Sequence, residues 1–277
     1  MRCFWGRCGR MAEVCVALLT PFTAAGDVAY DPLETHVEHL VAEGVTSLMP
    51  CGTTGEGVLL DDGEIVAILT RVSAVVGGRA RIIAHVGRAS TRATVALAST
   101  AETVGIGAVS AVAPYYYKYS DDQIRAHYLA LLRAVSVPVY AYTIPDRDGN
   151  VLSPAVVRTL AAAGLGGVKD SSKSLDRHRE YLACGVDVLM GSDTLVLDAL
   201  RLGAAGTVSA IANVEPRWLL ELARHASRDT DAATSAQARI DALRERTRAS
   251  TSVIAALKRE LALRLPGYPT HVRPPLS

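Results

Sequence analysis

Residues 166–172 read Gly-Gly-Val-Lys-Asp-Ser-Ser, and this stretch places Lys169 at the end of a short apolar run. The run has the length of a buried β-strand, so the lysine amine would project from the C-terminal end of that strand. Burial disfavours an ammonium ion, and a protein that buries a lysine can use the neutral amine to attack a ketone. The alternative is a side chain whose stem packs on apolar neighbours while its amine stays in water. This stretch alone leaves both interpretations open.

Short β-branched runs alternate with amphipathic segments on both sides of this strand. Eight strands are predicted, at residues 14–19, 46–49, 81–85, 108–113, 139–142, 166–169, 187–190 and 206–209. Helical patterns lie between them, at residues 32–43, 61–76, 91–104, 121–135, 154–163 and 195–202. Eight strand–helix repeats predict an α/β fold, the closed (β/α)8 TIM barrel. An open doubly wound sheet is the competing topology, but no G-x-G-x-x-G motif follows the first strand.

Beyond residue 215 the pattern becomes purely helical, at 217–227 and then without interruption at 231–265. We therefore predict a barrel core at residues 13–215. Residues 216–277 would form the last barrel helix and a C-terminal helical extension that packs on the barrel. Residues 1–12 are interpreted as a flexible leader, with Met11 as an alternative start.

The composition of the chain favours a globular protein that does not bind nucleic acid or membranes. The chain has 277 residues, 49% of them hydrophobic, and a net charge of +1, so it has ample material for a core and no global charge that would attract nucleic acid or an anionic membrane. No segment approaches the roughly 20 apolar residues of a membrane-spanning helix. Five scattered cysteines form neither a disulfide framework nor a metal-binding spacing, which favours a reducing, cytoplasmic location.

Reactive residue types gather where the predicted strands end. Chemistry in such barrels takes place at the C-terminal ends of the strands. The second strand is followed by the glycine-rich segment 51–57, whose hydroxyls and backbone amides suit a carboxylate. Tyrosines follow the fourth strand, Tyr142 and Arg147 lie at and after the fifth, and Lys169 ends the sixth. An amine, phenols, threonines and an arginine are thus predicted to share one rim.

Five ordered motifs carry a resemblance to a known family. They are Gly-Thr-Thr-Gly-Glu at 52–56, Pro-Tyr-Tyr at 114–116, Tyr142-x-x-Pro145, Gly-Val-Lys-Asp at 167–170 and Gly-Ser-Asp at 191–193. With them the chain resembles the dihydrodipicolinate synthase and N-acetylneuraminate lyase family, the class I pyruvate-dependent aldolases, from about residue 14 to residue 265. The resemblance implies a lyase with pyruvate and an aldehyde as substrates and with no metal or organic cofactor.

The resemblance also implies roles for four catalytic residues. Lys169 would form an iminium with pyruvate, and Tyr142 would carry protons beside it. Thr53 and Tyr116 match the positions of the threonine and second tyrosine that relay the proton in the family. Because that second tyrosine reaches across a subunit interface, the resemblance implies a homo-oligomer, a dimer or a tetramer.

Three further residues match substrate-binding positions of the family. Thr54, with the backbone amides of Thr53 and Thr54, would hold the pyruvate carboxylate, and Val208 would line the pyruvate pocket. Arg147 falls where dihydrodipicolinate synthases keep an arginine that binds the carboxylate of aspartate semialdehyde. The leading interpretation is therefore synthase-type condensation with aspartate semialdehyde.

Two other interpretations stay open. Asp-Gly-Asn follows Arg147 at 148–150, where Asp148 could neutralise or redirect the arginine, and the tyrosine run 115–117 resembles 2-keto-3-deoxy sugar-acid aldolases. A sugar-acid aldolase, or an enzyme like N-acetylneuraminate lyase, is one alternative. A catalytically silent homologue that acts as a binding protein is the other.

Overall fold

The computed structural model describes residues 11–228 and 231–276, so most of the predicted leader lies outside the described residues. Eight parallel strands close into a barrel in the order β1 to β8, with β8 paired to β1. The predicted TIM barrel is confirmed. The strands are β1 Glu13–Ala17, β2 Ser47–Met49, β3 Arg81–His85, β4 Ala108–Val112, β5 Val139–Thr143, β6 Gly167–Asp170, β7 Asp187–Met190 and β8 Gly206–Ser209.

Helices connect the strands and surround the barrel. They are α1 Tyr30–Ala42, α2 Asp62–Val76, α3 Thr91–Glu102, α4 Asp121–Ala134, α5 Pro145–Asp148, α6 Pro154–Ala162, α7 Leu175–Leu182, α8 Val196–Arg201, α9 Pro216–His225, α10 Asp231–Arg248 and α11 Val253–Ala262. The short α5 and α7 were not among the predicted helices. Both follow strands that carry site residues, and both are only one or two turns long, which gives little periodicity to detect.

The prediction of one uninterrupted helix over residues 231–265 is wrong. Helix α10 ends at Arg248 and α11 begins at Val253, with Ala-Ser-Thr-Ser between them. The hydroxyl of Ser252 accepts a hydrogen bond from the backbone N–H of Ala255 and so caps α11. Serine and threonine compete for backbone hydrogen bonds and favour helix ends, and three of them in a row outweigh the apolar periodicity on either side.

Successive side chains of each strand point to opposite sides of the barrel wall and so contribute to two different hydrophobic cores. Alternate residues pack against the helices in the larger core, for example Val168 of β6. The others point into the barrel, where a second cluster is made of Cys15, Ala17, Met49, Ile83, Ala108, Tyr140, Leu189 and Val208. Because side chains in a strand alternate with a period of two, Lys169 points into the barrel when Val168 points out.

The C-terminal helices extend the barrel. Helix α10 packs against α9. Helix α11 and the segment after it return to the loops that follow β1 and β2. Within the described ranges, no helix is both long enough and apolar enough to span a bilayer. The division at residue 215 between a barrel core and a helical extension stays a prediction.

Candidate active site

Lys169 is buried in the mouth of the barrel. Only 4% of its surface is exposed, so the alternative in which its amine stays in water is excluded. The amine Nζ lies 3.9 Å from the ring centroid of Tyr142 and 3.5 Å from the sulfur of Met49. The amine therefore faces an aromatic ring and a thioether, which solvate an ammonium less well than water does.

Tyr142 connects this amine to the loop after β2. Its phenol oxygen lies 3.1 Å from the hydroxyl oxygen of Thr53, and either group can donate the hydrogen bond. Tyr142 is buried, whereas Thr53 is half-buried at the edge of the site. The pair thus forms a path of two hydroxyl groups that leads outward from the neighbourhood of Lys169.

His85 also packs against the ring of Tyr142, and the sequence motifs did not include it. The two rings meet edge to face with centroids 5.8 Å apart, and the backbone N–H of Val112 donates to His85 Nε2. Burial, helped by the charges of Lys169 and Arg88, lowers the pKa of His85 to about 3. The ring is therefore neutral at neutral pH and adds no positive charge beside the lysine. A histidine that ends β3 is the sequence signal that could have identified it.

The 51–57 loop, which carries both threonines, is tightly wound. Cys51 and Glu56 have φ values of 61° and 58°, in the left-handed region that non-glycine residues seldom adopt. Such a conformation costs about 1–3 kcal/mol per residue, so surrounding contacts must hold it. A Cβ on Gly57 would lie 1.7 Å from the carbonyl oxygen of Cys51, so only glycine fits there. Thr53 and Thr54 are half-buried on this loop.

Tyr116 is not brought to the lysine by its own chain. It is 87% exposed, its φ is 84°, and its ring packs edge to face against Tyr117 with centroids 5.0 Å apart. Tyr116 and its exposed neighbour Tyr117 therefore present two aromatic rings to solvent. Among the residues that the structure describes, Tyr116 makes its ring contact with Tyr117, and no hydrogen bond joins it to Tyr142 or Thr53.

Val208 points into the barrel interior. It is buried in the interior cluster with Met49 and Leu189, on β8. Val208 therefore belongs to the same barrel interior as the lysine, and its apolar surface can pack against a methyl group.

Arg147 lies on the exposed side of the one-turn helix α5. Within the described part of the chain, its guanidinium makes no hydrogen bond or ion pair, so its donors are available to a ligand. Its neighbour Asp146 instead pairs with Lys173, with 2.5 Å between the charged atoms. The free guanidinium and the Asp146–Lys173 pair thus lie side by side after β5.

Asp148 does not neutralise Arg147. Its carboxylate is turned inward and buried, where one oxygen accepts the backbone N–H of Asn150 and the other has no hydrogen-bond partner. Burial raises the pKa of Asp148 to about 6. The alternative in which Asp148 redirects the arginine is therefore not the arrangement found.

Asn150 joins the loop after β5 to the loop after β4. Its amide nitrogen donates to the carbonyl oxygens of Pro114 and Tyr117, and its amide oxygen accepts the backbone N–H of Tyr119. One buried side chain therefore ties the loop after β5 to the tyrosine loop after β4. The sequence showed only an unexpected Asp-Gly-Asn, because the partners are backbone atoms more than 30 residues away.

Metal ligands do not gather in this site. Among the residues that the structure describes, no three His, Cys, Asp or Glu side chains are placed to hold a metal ion. The groups that do come together are the amine of Lys169, the phenol of Tyr142 and the hydroxyl of Thr53.

A closed eight-stranded barrel with a buried lysine beside a phenol at the C-terminal strand ends has the architecture of a barrel enzyme. The sequence matches the Dihydrodipicolinate synthetase family over residues 10–277. The chain belongs to this family and is thereby a lyase of the pyruvate-dependent aldolase class.

Relatives support the same assignment. The chain is 39% identical to the 4-hydroxy-tetrahydrodipicolinate synthase of Sorangium cellulosum over 207 residues, 73% of this chain and 69% of that protein. It is similar to the chloride-inhibited dihydrodipicolinate synthase of Acinetobacter baumannii complexed with pyruvate, with a TM-score of 0.90, 30% identity and coverage of 97% and 93% of the two chains. It is also similar to YagE of E. coli K12, a prophage protein of the same family in complex with pyruvate, with a TM-score of 0.91, 27% identity and coverage of 96% and 92%. The resemblance inferred from the motifs is thus confirmed.

Proposed function

We propose that this chain joins pyruvate to an aldehyde through a Schiff base on Lys169, in the manner of dihydrodipicolinate synthase, with aspartate semialdehyde as the aldehyde. The observation that carries the proposal is the buried amine of Lys169 against the Tyr142 ring, with the Thr53 hydroxyl 3.1 Å from the Tyr142 phenol. The pyruvate complexes of two similar proteins support the choice of the first substrate.

The chemistry begins at the C2 carbonyl of pyruvate. The neutral amine of Lys169 adds to this carbon, and loss of the carbonyl oxygen as water leaves an iminium. The iminium nitrogen accepts the electron pair when a proton leaves C3, which gives an enamine. The enamine carbon then attacks the aldehyde, and water releases the product from Lys169.

Several of these steps move a proton, and Tyr142 is the group placed to carry it. The amine lies 3.9 Å from the centroid of its ring, and its phenol oxygen lies 3.1 Å from the Thr53 hydroxyl, so a proton given up at the Schiff base can pass outward along the two hydroxyls. The family places a second tyrosine in this relay, and Tyr116 matches it in sequence. We therefore propose that the exposed Tyr116 of one chain completes the site of another chain in a homodimer, alone or within a tetramer.

The pyruvate carboxylate is assigned to the 51–57 loop. The backbone amides of Thr53 and Thr54 and the Thr54 hydroxyl would donate to it, since both threonines are half-buried on this tightly wound loop and such donors suit an anion. Val208 would pack against the pyruvate methyl group. The reaction needs no cofactor beyond these side chains, and we place it in the cytoplasm because the scattered cysteines favour a reducing compartment.

Arg147 is assigned to the aldehyde. A free, exposed guanidinium beside the barrel mouth is available to bind the carboxylate of aspartate semialdehyde with two hydrogen bonds. The second candidate is a 2-keto-3-deoxy sugar-acid aldolase, favoured by the tyrosine loop that Asn150 holds beside the same mouth. Turnover with aspartate semialdehyde against that with C3 to C6 aldehydes separates the two. A preference for the semialdehyde that survives Arg147→Ala contradicts the assignment of the arginine.

The proposal is tested by borohydride reduction in the presence of pyruvate, followed by intact-mass measurement and peptide mapping. We expect one pyruvyl adduct on Lys169, no adduct in Lys169→Ala, and turnover of that variant below about one part in a thousand, because more than about 4 kcal/mol of barrier lowering depends on the covalent path. Lys173→Ala is the matched control, since it removes an exposed lysine near the same mouth. A folded protein that forms no adduct would favour the silent homologue.

A further inference from the structure

The 51–57 loop is held from a distant part of the chain. Glu56 adopts its left-handed conformation with its carboxylate buried, and one carboxylate oxygen accepts a hydrogen bond from Lys258 Nζ at 2.6 Å. The other oxygen accepts the backbone N–H of Arg273 at 2.8 Å. Both partners lie more than 200 residues away, in α11 and in the segment after it.

Lys258 is satisfied within the same cluster. Its side chain is fully buried, and its amine also donates to the carbonyl oxygen of His271 at 2.7 Å. The amine lies 4.5 Å from the ring centroid of Phe22, and the guanidinium of Arg273 lies 4.5 Å from the same centroid. Burial lowers the pKa of Lys258, and the charge of Glu56 opposes that change.

Stability alone does not account for this ion pair. Two fully buried charges lose their hydration, and well-packed apolar side chains of similar volume often stabilise a fold as much or more. A buried pair does, however, restrict the geometry of the two segments that it joins. Here it joins the glycine-rich 51–57 loop to α11.

The loop transmits this restriction to the site over three residues. The backbone N–H of Glu56 donates to the carbonyl oxygen of Thr53, and the Thr53 hydroxyl lies 3.1 Å from the Tyr142 phenol. Gly55, between Thr53 and Glu56, is itself held in place, because its carbonyl oxygen accepts a hydrogen bond from the Thr20 hydroxyl at 2.7 Å. A displaced Glu56 therefore moves the threonines.

Two arginine side chains hold the end of the loop and the segment that follows it. Arg88 donates to the carbonyl oxygens of Gly57 and Leu60, and Arg273 donates to that of Leu59. These contacts are made to backbone oxygens and do not involve the amine of Lys258. The Glu56 carboxylate is therefore the group through which Lys258 acts on the loop.

We propose that Glu56 and Lys258 are positioning residues, through which helix α11 holds Thr53 and Thr54 in the geometry that binds pyruvate and relays its proton. The part that concerns pyruvate rests on the proposed function. The part that concerns the loop rests on the contacts alone. Neither residue touches the reacting atoms.

Hydrogen exchange of the 51–57 loop tests the positioning directly, without any substrate. Lys258→Met keeps the length and apolar stem of the side chain and removes the amine that bonds Glu56. We expect the amides of this loop to exchange about tenfold faster than in the unaltered chain, with β5 and β6 unchanged, because only the local restraint is lost. Arg264→Met is the matched control, since Arg264 pairs with Glu215 just beyond α11 and does not contact the loop.

Pyruvate kinetics test the consequence. For Lys258→Met we expect the rate of borohydride-trapped adduct formation at low pyruvate to fall about tenfold, with the KM for the aldehyde unchanged, because misplaced groups lose effective concentration. Loop exchange and adduct formation within about twofold of the unaltered chain would overturn the proposal. Faster exchange throughout the chain with normal adduct formation would also overturn it, since the pair would then act only on stability.

A variant that fails to fold and a chain that forms no adduct are each covered by a further measurement. If Lys258→Met does not fold, Glu56→Gln/Lys258→Met replaces it, because that variant leaves neither charge buried without its partner. Its expected and contradicting results are the same as for the single variant. If the unaltered chain forms no adduct, the proposed function fails, and hydrogen exchange still decides whether α11 holds the loop.

Discussion

Lys169 and Tyr142 are direct partners across two neighbouring strands. The register of β5 and β6 places Tyr142 opposite Lys169, and both side chains point into the barrel. Their contact therefore follows from strand pairing and does not depend on a mobile loop. Thr53 reaches the same place from a loop, so its hydrogen bond to Tyr142 is the contact that a single substitution can remove without disturbing the barrel.

Thr53→Val tests the proton path at this scale. Valine has the shape of threonine and lacks its hydroxyl, so we expect kcat to fall by about 10²-fold with little change in the KM for pyruvate, since positioned acid–base groups contribute factors of that order. Steady-state kinetics give both constants. Thr159→Val, on the exposed face of α6, should leave them unchanged. An activity within about twofold for Thr53→Val would place the proton path elsewhere.

Asp148 predicts a pH dependence of stability. Its pKa is raised from 3.8 to about 6 in the folded chain, so between these pH values the folded state binds more protons than the unfolded state. The contribution of Asp148 to stability is thus fully present below about pH 4 and is lost as the pH rises through about 6.

Asp148→Asn should remove this dependence. We expect the free energy of unfolding of the unaltered chain, relative to the variant, to fall by about 1–2 kcal/mol from pH 4 to pH 7, a value reduced for partial solvent screening. Urea unfolding at the two pH values measures it, and contributions from other carboxylates cancel in the difference. Equal pH profiles for the two proteins would show that Asp148 titrates normally.

At the scale of elements, the backbone geometry of the 51–57 loop determines where Thr53 and Thr54 lie. Gly57 tolerates no Cβ, whereas a Cβ on Gly52 meets no atom within 4 Å. We therefore expect Gly57→Ala to lower pyruvate adduct formation by about 10²-fold, the order expected when catalytic groups move by about 1 Å. Gly52→Ala should stay close to the unaltered chain. Equal effects of the two substitutions would mean that loop geometry does not limit the reaction.

Strand positions were predictable and helix interruptions were not. The eight predicted strands agree with the observed ones to within two residues at either end, because buried β-branched runs bounded by turn residues are a strong local signal. The break between α10 and α11 depends on hydroxyl caps, which compete weakly with a continuing apolar pattern. The short α5 helix is defined by Pro145 at its start and by Gly149, which follows it with a φ of 69°.

At the scale of the whole molecule, the exposed Tyr116 predicts dependence of one chain on another. Lys169→Ala and Tyr116→Phe should each be nearly inactive, and their mixture after joint refolding should regain about a quarter of full activity, because half of the two-fold symmetric dimers would be mixed and each would hold one complete site. Refolding each variant alone is the control. A mixture with no more activity than the separate variants would confine each site to one chain. Sedimentation of the unaltered protein establishes the assembly independently.

The sequence by itself determined the barrel, the family and the identity of Lys169, Tyr142, Thr53 and Val208 as candidate site residues. It could do so because strand periodicity is local and because the motifs occur at strand ends that a closed barrel brings together. The tertiary structure alone decided that the amine of Lys169 is buried, that Asp148 turns away from Arg147, and that Asn150 ties two loops together.

Only the tertiary structure, too, revealed the contact of Lys258 with Glu56 across 202 residues. The local sequence around Lys258 and around Glu56 does not predict their contact, because a lysine in an amphipathic helix normally faces water. What places both charges inside the protein is the return of α11 and the segment after it to the loops of the barrel. Burial is a property of the whole packed molecule, and for that reason the sequence named the reactive groups but not the residues that hold them in place.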